Sequence, residues 1–232
     1  MTATLVVLAR VPLPGEGKTR LRRLLAAATV DAIAAAMVAD TLAWSANAEG
    51  FDRVLVAHRG APGLLLRSAA PQAQWVEQAE GDLGARIDAA LDKALEAGGV
   101  AVQIGTDSPT LPRGLLDSTL EALDSAPAAL VPADDGGWIA LGITRPLRGA
   151  LLGVPWSNRA TGRRTIEALR RAGLPPRVLA SHYDIDEPSD LLRLAADPGA
   201  CQRAPRTLAA VRPLLAGLLR AEAAAPAPDR TP

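Results

Sequence analysis

Val100-Ala101-Val102-Gln103-Ile104-Gly105-Thr106-Asp107-Ser108-Pro109-Thr110 is the stretch on which the reading of this chain turns. Its first five residues are largely apolar and β-branched, with glycines on both sides, which predicts a short buried strand over 100–104. Pro109 pushes Ser108 toward extended backbone and ends the strand sharply. Asp107 is therefore expected at the sheet rim, just past the carboxyl end of a strand, where open α/β sheets bind their ligands. A carboxylate there can hold a divalent cation that bridges phosphate oxygens, since Mg²⁺ takes one or two carboxylates and leaves the rest of its shell to phosphate and water. It can equally close its own turn as an Asx motif. The stretch alone leaves both readings open.

Strand-like and helical runs alternate on either side of it. A first strand is expected over 4–9, then a Pro/Gly loop over 11–17 and helical patterns over 18–28 and 30–48. Strands follow over 53–57 and 73–76, and a helix over 83–97 with Leu83, Ile87, Leu91 and Leu95 on one face. A helix over 113–123 and a strand over 128–131 complete an alternation that predicts an α/β fold, a mainly parallel sheet with helices on both faces. Asp135-Gly136-Gly137 then separates Leu130-Val131-Pro132 from Trp138-Ile139-Ala140-Leu141, the pattern of a hairpin or a switch to a locally antiparallel pair. Helices over 163–171 and 187–196 flank a strand over 177–179, and a last helix over 207–223 is expected to kink or break at Pro213. One domain is expected over 1–219. The Ala/Pro-rich residues 224–232 are expected to be disordered.

Composition narrows the function classes. The chain has 232 residues, 25 Lys+Arg against 25 Asp+Glu, and a hydrophobic fraction of 49%, enough for a large core and without a global pull toward nucleic acid. A single cysteine, Cys201, excludes an intrachain disulfide and a cysteine-rich metal site. No run of about 18 apolar residues lacks a charge, so a membrane span is not expected. The first residues lead straight into a strand pattern, which places the protein in the cytoplasm as an expectation.

Three clusters carry chemistry. Arg10-Val11-Pro12-Leu13-Pro14-Gly15-Glu16-Gly17-Lys18-Thr19-Arg20 follows the first strand, and its glycines allow a ligand close to the backbone while Lys18 and Arg20 supply positive charge for phosphate. A solvated basic turn is the plainer alternative. The Gly81-Asp82-Leu83-Gly84-Ala85-Arg86 run precedes a helix, so Asp82 reads first as an N-cap, with Gly84 and Arg86 able to lie beside a nucleotide. Asp184 and Asp186 alternate on an extended segment, and either could be a second metal ligand; Asp190 suits the following helix start. His182 and His58 read as structural.

Taken in order, Pro12-x-Pro14-Gly15-x-x-Lys18-Thr19-Arg20-Leu21, Gly81-Asp82-Leu83-Gly84-x-Arg86, Gly105-Thr106-Asp107-Ser108-Pro109, Asp135-Gly136-Gly137-Trp138, Trp156-Ser157 and Asp184-x-Asp186-x-Pro188-x-Asp190-Leu191 resemble one bacterial family. It is DUF2064, the rSAM/selenodomain-associated transferase 1 or arsenosugar-biosynthesis-type glycosyltransferase family, and the resemblance runs from about residue 4 to 192. It implies a GT-A-like fold, the nucleotide-diphospho-sugar transferase type of three-layer α/β sandwich with a mainly parallel mixed sheet. The chain is also similar to 2-phospho-lactate and molybdenum-cofactor guanylyltransferases. Trp138 stands where the family usually carries Tyr, and Asn158 where it carries Thr; both departures bear on the acceptor.

The combined expectation is a Mg²⁺- or Mn²⁺-dependent transferase with a nucleotide donor and a small-molecule acceptor. Nucleotidyl transfer from an NTP leads, glycosyl transfer from a nucleotide-sugar follows, and a non-catalytic nucleotide-binding protein is the third reading. Lys18, Asp107 and Asp135 are the expected catalytic residues. Ala9, Arg10, Gly15, Gly17, Lys18, Arg20, Gly81, Gly84 and Arg86 are expected at the nucleotide. Gly136, Gly137, Trp138, Trp156 and Ser157 are expected at the acceptor. Asp107 with Asp186, or with Asp184 as its competitor, is expected at the metal. Asp135 either acts as a base or merely closes a turn.

Overall fold

The computed structural model describes residues 2–224, and the expected disorder over 224–232 lies almost wholly outside them. β1 (Ala3–Arg10) is an interior strand: Leu5, Val6 and Val7 are fully buried because both faces and both edges are covered. It pairs in parallel with β2 (Arg53–Arg59) on one side and β4 (Val100–Ile104) on the other. β3 (Gln74–Glu77) extends the parallel half beyond β2. In the other half β6 (Trp138–Ile143) runs antiparallel to both β4 and β5 (Ala128–Pro132), and β7 (Pro176–Val178) pairs in parallel with β5. The order β3-β2-β1-β4-β6-β5-β7 gives one mixed seven-stranded sheet. The antiparallel pair expected from Gly136-Gly137 is therefore a strand inserted between two parallel neighbours.

Helices cover both faces. On one side lie α1 (Ala27–Ser45), α2 (Leu64–Ala69) and α4 (Arg113–Leu123); on the other lie α3 (Leu83–Leu95) and α5 (Thr161–Arg171). A third apolar cluster joins Ile33 and Met37 of α1 to α6 (Pro188–Ala196), α7 (Ala200–Arg203), α8 (Pro205–Val211) and α9 (Leu215–Ala224). The break near Pro213 is present as a tight turn over Arg212–Leu214. α1 is the one described helix whose length and mean hydropathy of 1.3 would suit a membrane span. Here it carries a buried charge: Asp40 accepts hydrogen bonds at 2.8 Å from both Thr207 N and Thr207 Oγ1, which pins α8 to it.

One local expectation is corrected and another is met. The helix expected over 18–28 does not form: residues 18–26 are an open loop, a tight turn over Leu21–Arg23 and an extended Ala26, and only 27–28 belong to α1. Gly15, Gly17 and Lys18 all have positive φ, incompatible with a helix, and Arg22 ties the loop together through Gly17 O and Glu16 O, both at 2.8 Å. Asp82 caps α3 as expected, accepting from Ala85 N at 2.8 Å.

After β6 the chain must return to the rim it left, and α3 guides it. Asp92 accepts from the Leu147 backbone, Asp88 accepts from Gly149 N at 2.7 Å, and Gly84 packs so close to Leu151 O that a Cβ would collide with it. Those three α3 residues are spaced four apart, on one helical face. The ascending segment delivers Trp156 and Ser157 to the cleft.

Candidate active site

The carboxyl ends of β1, β4 and β5 open on a cleft of about 620 Å³, in the position that an α/β sheet reserves for ligands. One wall is the loop over 12–18 backed by Met37 and Val38 of α1, and the opposite wall is Asp135, Gly137, Trp138, Trp156 and Ser157.

Lys18 crosses between the elements. Its Nζ lies 2.5 Å from Asp107 Oδ1 and donates to Ile185 O at 2.6 Å. Only 11% of its side chain is exposed, against 63% for Asp107, so the ammonium is sheltered while the carboxylate still faces the cleft. Arg22 braces the loop from behind through Asp31 at 2.5 Å, and that contact holds the Asp31 carboxyl below its ordinary range. Arg20 does not line the cleft itself but bonds Asp186 Oδ2, which does, at 2.7 Å.

The carboxylates converge unevenly. Ile185 N donates to Asp107 O at 2.9 Å, which docks the segment over 184–186 onto the end of β4. Burial pushes the Asp184 carboxyl up to about 6, and the negative charges of Asp135 and Asp107 push in the same direction against the pull of Lys18. Asp186 lines the cleft but is paired with Arg20, which also lies 3.6 Å from Glu187. Asp135 closes its own turn, accepting from Gly137 N at 2.8 Å. Among the described residues no three acidic, histidine or cysteine side chains stand ready-made as a metal site.

The glycines of the far wall are there for packing. Gly136 has φ +95° and abuts Arg159 O, and Gly162 of α5 abuts Gly137 O; a Cβ at either would collide. Trp138 donates from Nε1 to Thr165 Oγ1 at 3.1 Å and meets Trp156 edge-on, with ring centroids 6.3 Å apart.

Of the residues expected from sequence, Arg10, Gly17, Lys18, Arg86, Asp107, Asp135, Gly137, Trp138, Trp156, Ser157, Asp184 and Asp186 share the cleft. The others do not line it. Ala9 is buried in the sheet, and Gly15 donates its N–H to Asp31. Gly81 (φ +111°) shapes the turn before α3, and Gly84 and Gly136 serve close packing. Arg20 reaches the cleft only through Asp186. Two glutamines were missed. Gln78 lies on the wall with Nε2 donating to Ala9 O and Ala57 O at 3.2 and 2.9 Å. Gln103 lies there too, and its polarity inside an apolar strand was the available signal. His182 is structural: it shares a 3.1 Å hydrogen bond with Thr110 Oγ1, and burial lowers its pKa to about 4. His58 Nδ1 lies 2.8 Å from Gly60 O.

The fold recurs in solved structures. A candidate nucleotide-diphospho-sugar transferase from Desulfovibrio desulfuricans G20 is 24% identical, covering 95% of this chain and 98% of that one, with a TM-score of 0.77. A manganese complex of Rv0371c from Mycobacterium tuberculosis H37Rv is 22% identical over 85% of this chain and 100% of that one, with a TM-score of 0.53. A 4-diphosphocytidyl-2C-methyl-D-erythritol synthase from Anaerococcus prevotii DSM 20548 is 9% identical over 83% and 93%, with a TM-score of 0.56. At these identities the likeness establishes the shared nucleotide-diphospho-sugar transferase fold. No curated protein matches the chain. The family model DUF2064, described as an uncharacterized protein conserved in bacteria, matches residues 41–158, just over half of the sequence, and the chain belongs to that family.

Proposed function

We propose that the protein is a divalent-metal-dependent transferase that takes a nucleoside triphosphate as donor and passes its nucleotidyl group to a small hydroxylated or phosphorylated acceptor. One observation carries this reading: a sheltered ammonium, Lys18, is held against an exposed rim carboxylate, Asp107, at the mouth of the cleft. A triphosphate bears more charge than a nucleotide-sugar and gains most from a fixed cation on one side and a carboxylate-held metal on the other. One relative's name, a diphosphocytidyl compound synthase, fits a nucleotide donor, and another relative is a manganese complex, which fits a divalent metal.

The side chains present fit a divalent cation. Asp107 and Asp184 would hold it, because Asp184 is the carboxylate whose ionisation its acidic neighbours oppose, and a cation would relieve that repulsion. Asp186, committed to Arg20, is the weaker candidate. The metal would supply charge neutralisation to the donor phosphates. Lys18 would move from Asp107 toward the phosphates and orient the α-phosphoryl group. The acceptor oxygen then bonds to that phosphorus as the bond to pyrophosphate breaks. A proton leaving an acceptor hydroxyl could pass to the Asp135 oxygen that does not accept from Gly137.

Glycosyl transfer is the second reading, supported by the name of the Desulfovibrio relative. Four NTPs and a panel of nucleotide-sugars, screened for Mg²⁺-dependent thermal stabilisation and then for pyrophosphate or nucleoside-diphosphate release, separate the two. Stabilisation by nucleotide-sugars alone, with no NTP response, overturns the first.

A further inference from the structure

Five amide or indole groups line the cleft, and they divide into two kinds, Asn158 being bonded on both sides of its amide to Pro155 O and Ala160 N. Gln78 and Trp138 have every N–H that matters bonded within the fold. Gln103 and Trp156 do not: Gln103 Oε1 and Trp156 Nε1 are both buried without any partner. Gln103 is only 3% exposed and sits on β4 two residues past Ala101, so it faces the α3 side of the sheet, as Trp156 does. A buried polar atom without a partner is costly and rare, and a lone acceptor and a lone donor in one cleft are an arrangement that a ligand can complete.

We propose that Gln103 and Trp156 form a subsite for an uncharged, hydroxylated carbon framework, a polyol or sugar-like part of the acceptor; this rests on the transferase reading. A hydroxyl can donate or accept, so a framework carrying several can donate to Gln103 Oε1 and accept from Trp156 Nε1. The surroundings are apolar, with Leu8, Leu83 and Ile87 on the same wall, which suits the C–H faces of such a framework. A flat nucleobase fits less well, because Trp138 and Trp156 meet at 60° and leave no parallel slot between them.

The test uses the full chain and three forms: parent, Gln103→Leu and Trp156→Phe. Binding of glycerol, myo-inositol, glucose and mannose, and separately of the four common ribonucleosides, is measured by saturation-transfer NMR with and without Mg²⁺ and the best-binding nucleotide. The expected result is a polyol that binds the parent and loses about tenfold or more in affinity in both variants, with nucleotide binding unchanged. Gln103→Leu should melt at the parent's temperature or above it, since it removes an unpaired buried oxygen. The proposal fails if no polyol binds the parent or if the variants bind it like the parent. It also fails if nucleoside binding is lost in place of polyol binding, or if Gln103→Leu melts well below the parent. Failure of every nucleotide to bind the parent would instead sink the transferase reading, with the polyol result still legible on its own.

Discussion

The two walls of the cleft are built by opposite means. The loop over 11–20 is held by charges: Lys18 to Asp107, Arg22 to Asp31, Arg20 to Asp186, and Arg10 to Glu16. Its glycines stand in open space, with nothing within 4 Å of a Cβ placed on Gly15 or Gly17. The opposite wall is held by backbone contact, with Gly136, Gly162 and Gly84 each against a carbonyl. A charge-held loop can exchange internal ion pairs for a charged ligand at little net cost. A wall locked by backbone packing cannot rearrange, and so presents a fixed shape.

The comparison can be broken first at the charged wall. Lys18→Ala and Asp107→Ala should each lower turnover of the best donor by about 10²–10³-fold, since each removes a group aimed at developing charge. Pyrophosphate release under saturating donor measures this, and a loss below tenfold would assign the pair to loop structure.

Next in size is the rigid wall. Gly136→Ala should destabilise by more than about 2 kcal/mol through backbone collision, whereas Gly15→Ala, also at positive φ but unobstructed, should cost only about 1 kcal/mol. Urea midpoints compare the two, and equal costs would remove the distinction.

A smaller effect concerns Asp184. Its folded pKa is raised above the unfolded value of 3.8, so its protonated form contributes stability below that pH and the contribution is lost as pH rises through about 6. Asp88 behaves alike, while His182, lowered from 6.5 to about 4, opposes them by losing stability as pH falls through that window. The difference between Asp184→Asn and the parent isolates one group. The variant should gain on the parent in ligand-free stability between pH 4 and 6, and should bind metal with nucleotide less well at pH 7. The smallest effect is Arg20→Ala, a half-exposed pair expected to cost under about 1 kcal/mol in denaturant melts.

Much of this was legible in sequence where local pattern and tertiary setting agree. Val100–Ile104 is fully buried and Asp107 follows it to the rim, because an apolar run bounded by glycines has few other places to go. The loop over 18–26 was misread as a helix because its conformation depends on Lys18 at φ 45° and on Arg22 folding back, neither of which shows in residue type. The packing of Gly84 against Leu151 was not legible, because the two are far apart along the chain. Gln103 passed unremarked inside the strand it belongs to, since only the three-dimensional cleft gives its oxygen a meaning.

The reversed direction of β6 has an evolutionary consequence. Because this one strand starts at the rim where its neighbours end, the hairpin over 133–137 and the returning segment over 144–160 are both contributed by the second half of the chain. Insertions or exchanges in those two stretches would redraw what enters from that side while the parallel β1–β4 half stays untouched. Swapping them between relatives, with Gly84, Asp88 and Asp92 kept as the face on which the return path climbs, would under the proposed function alter acceptor preference and leave donor binding as it is.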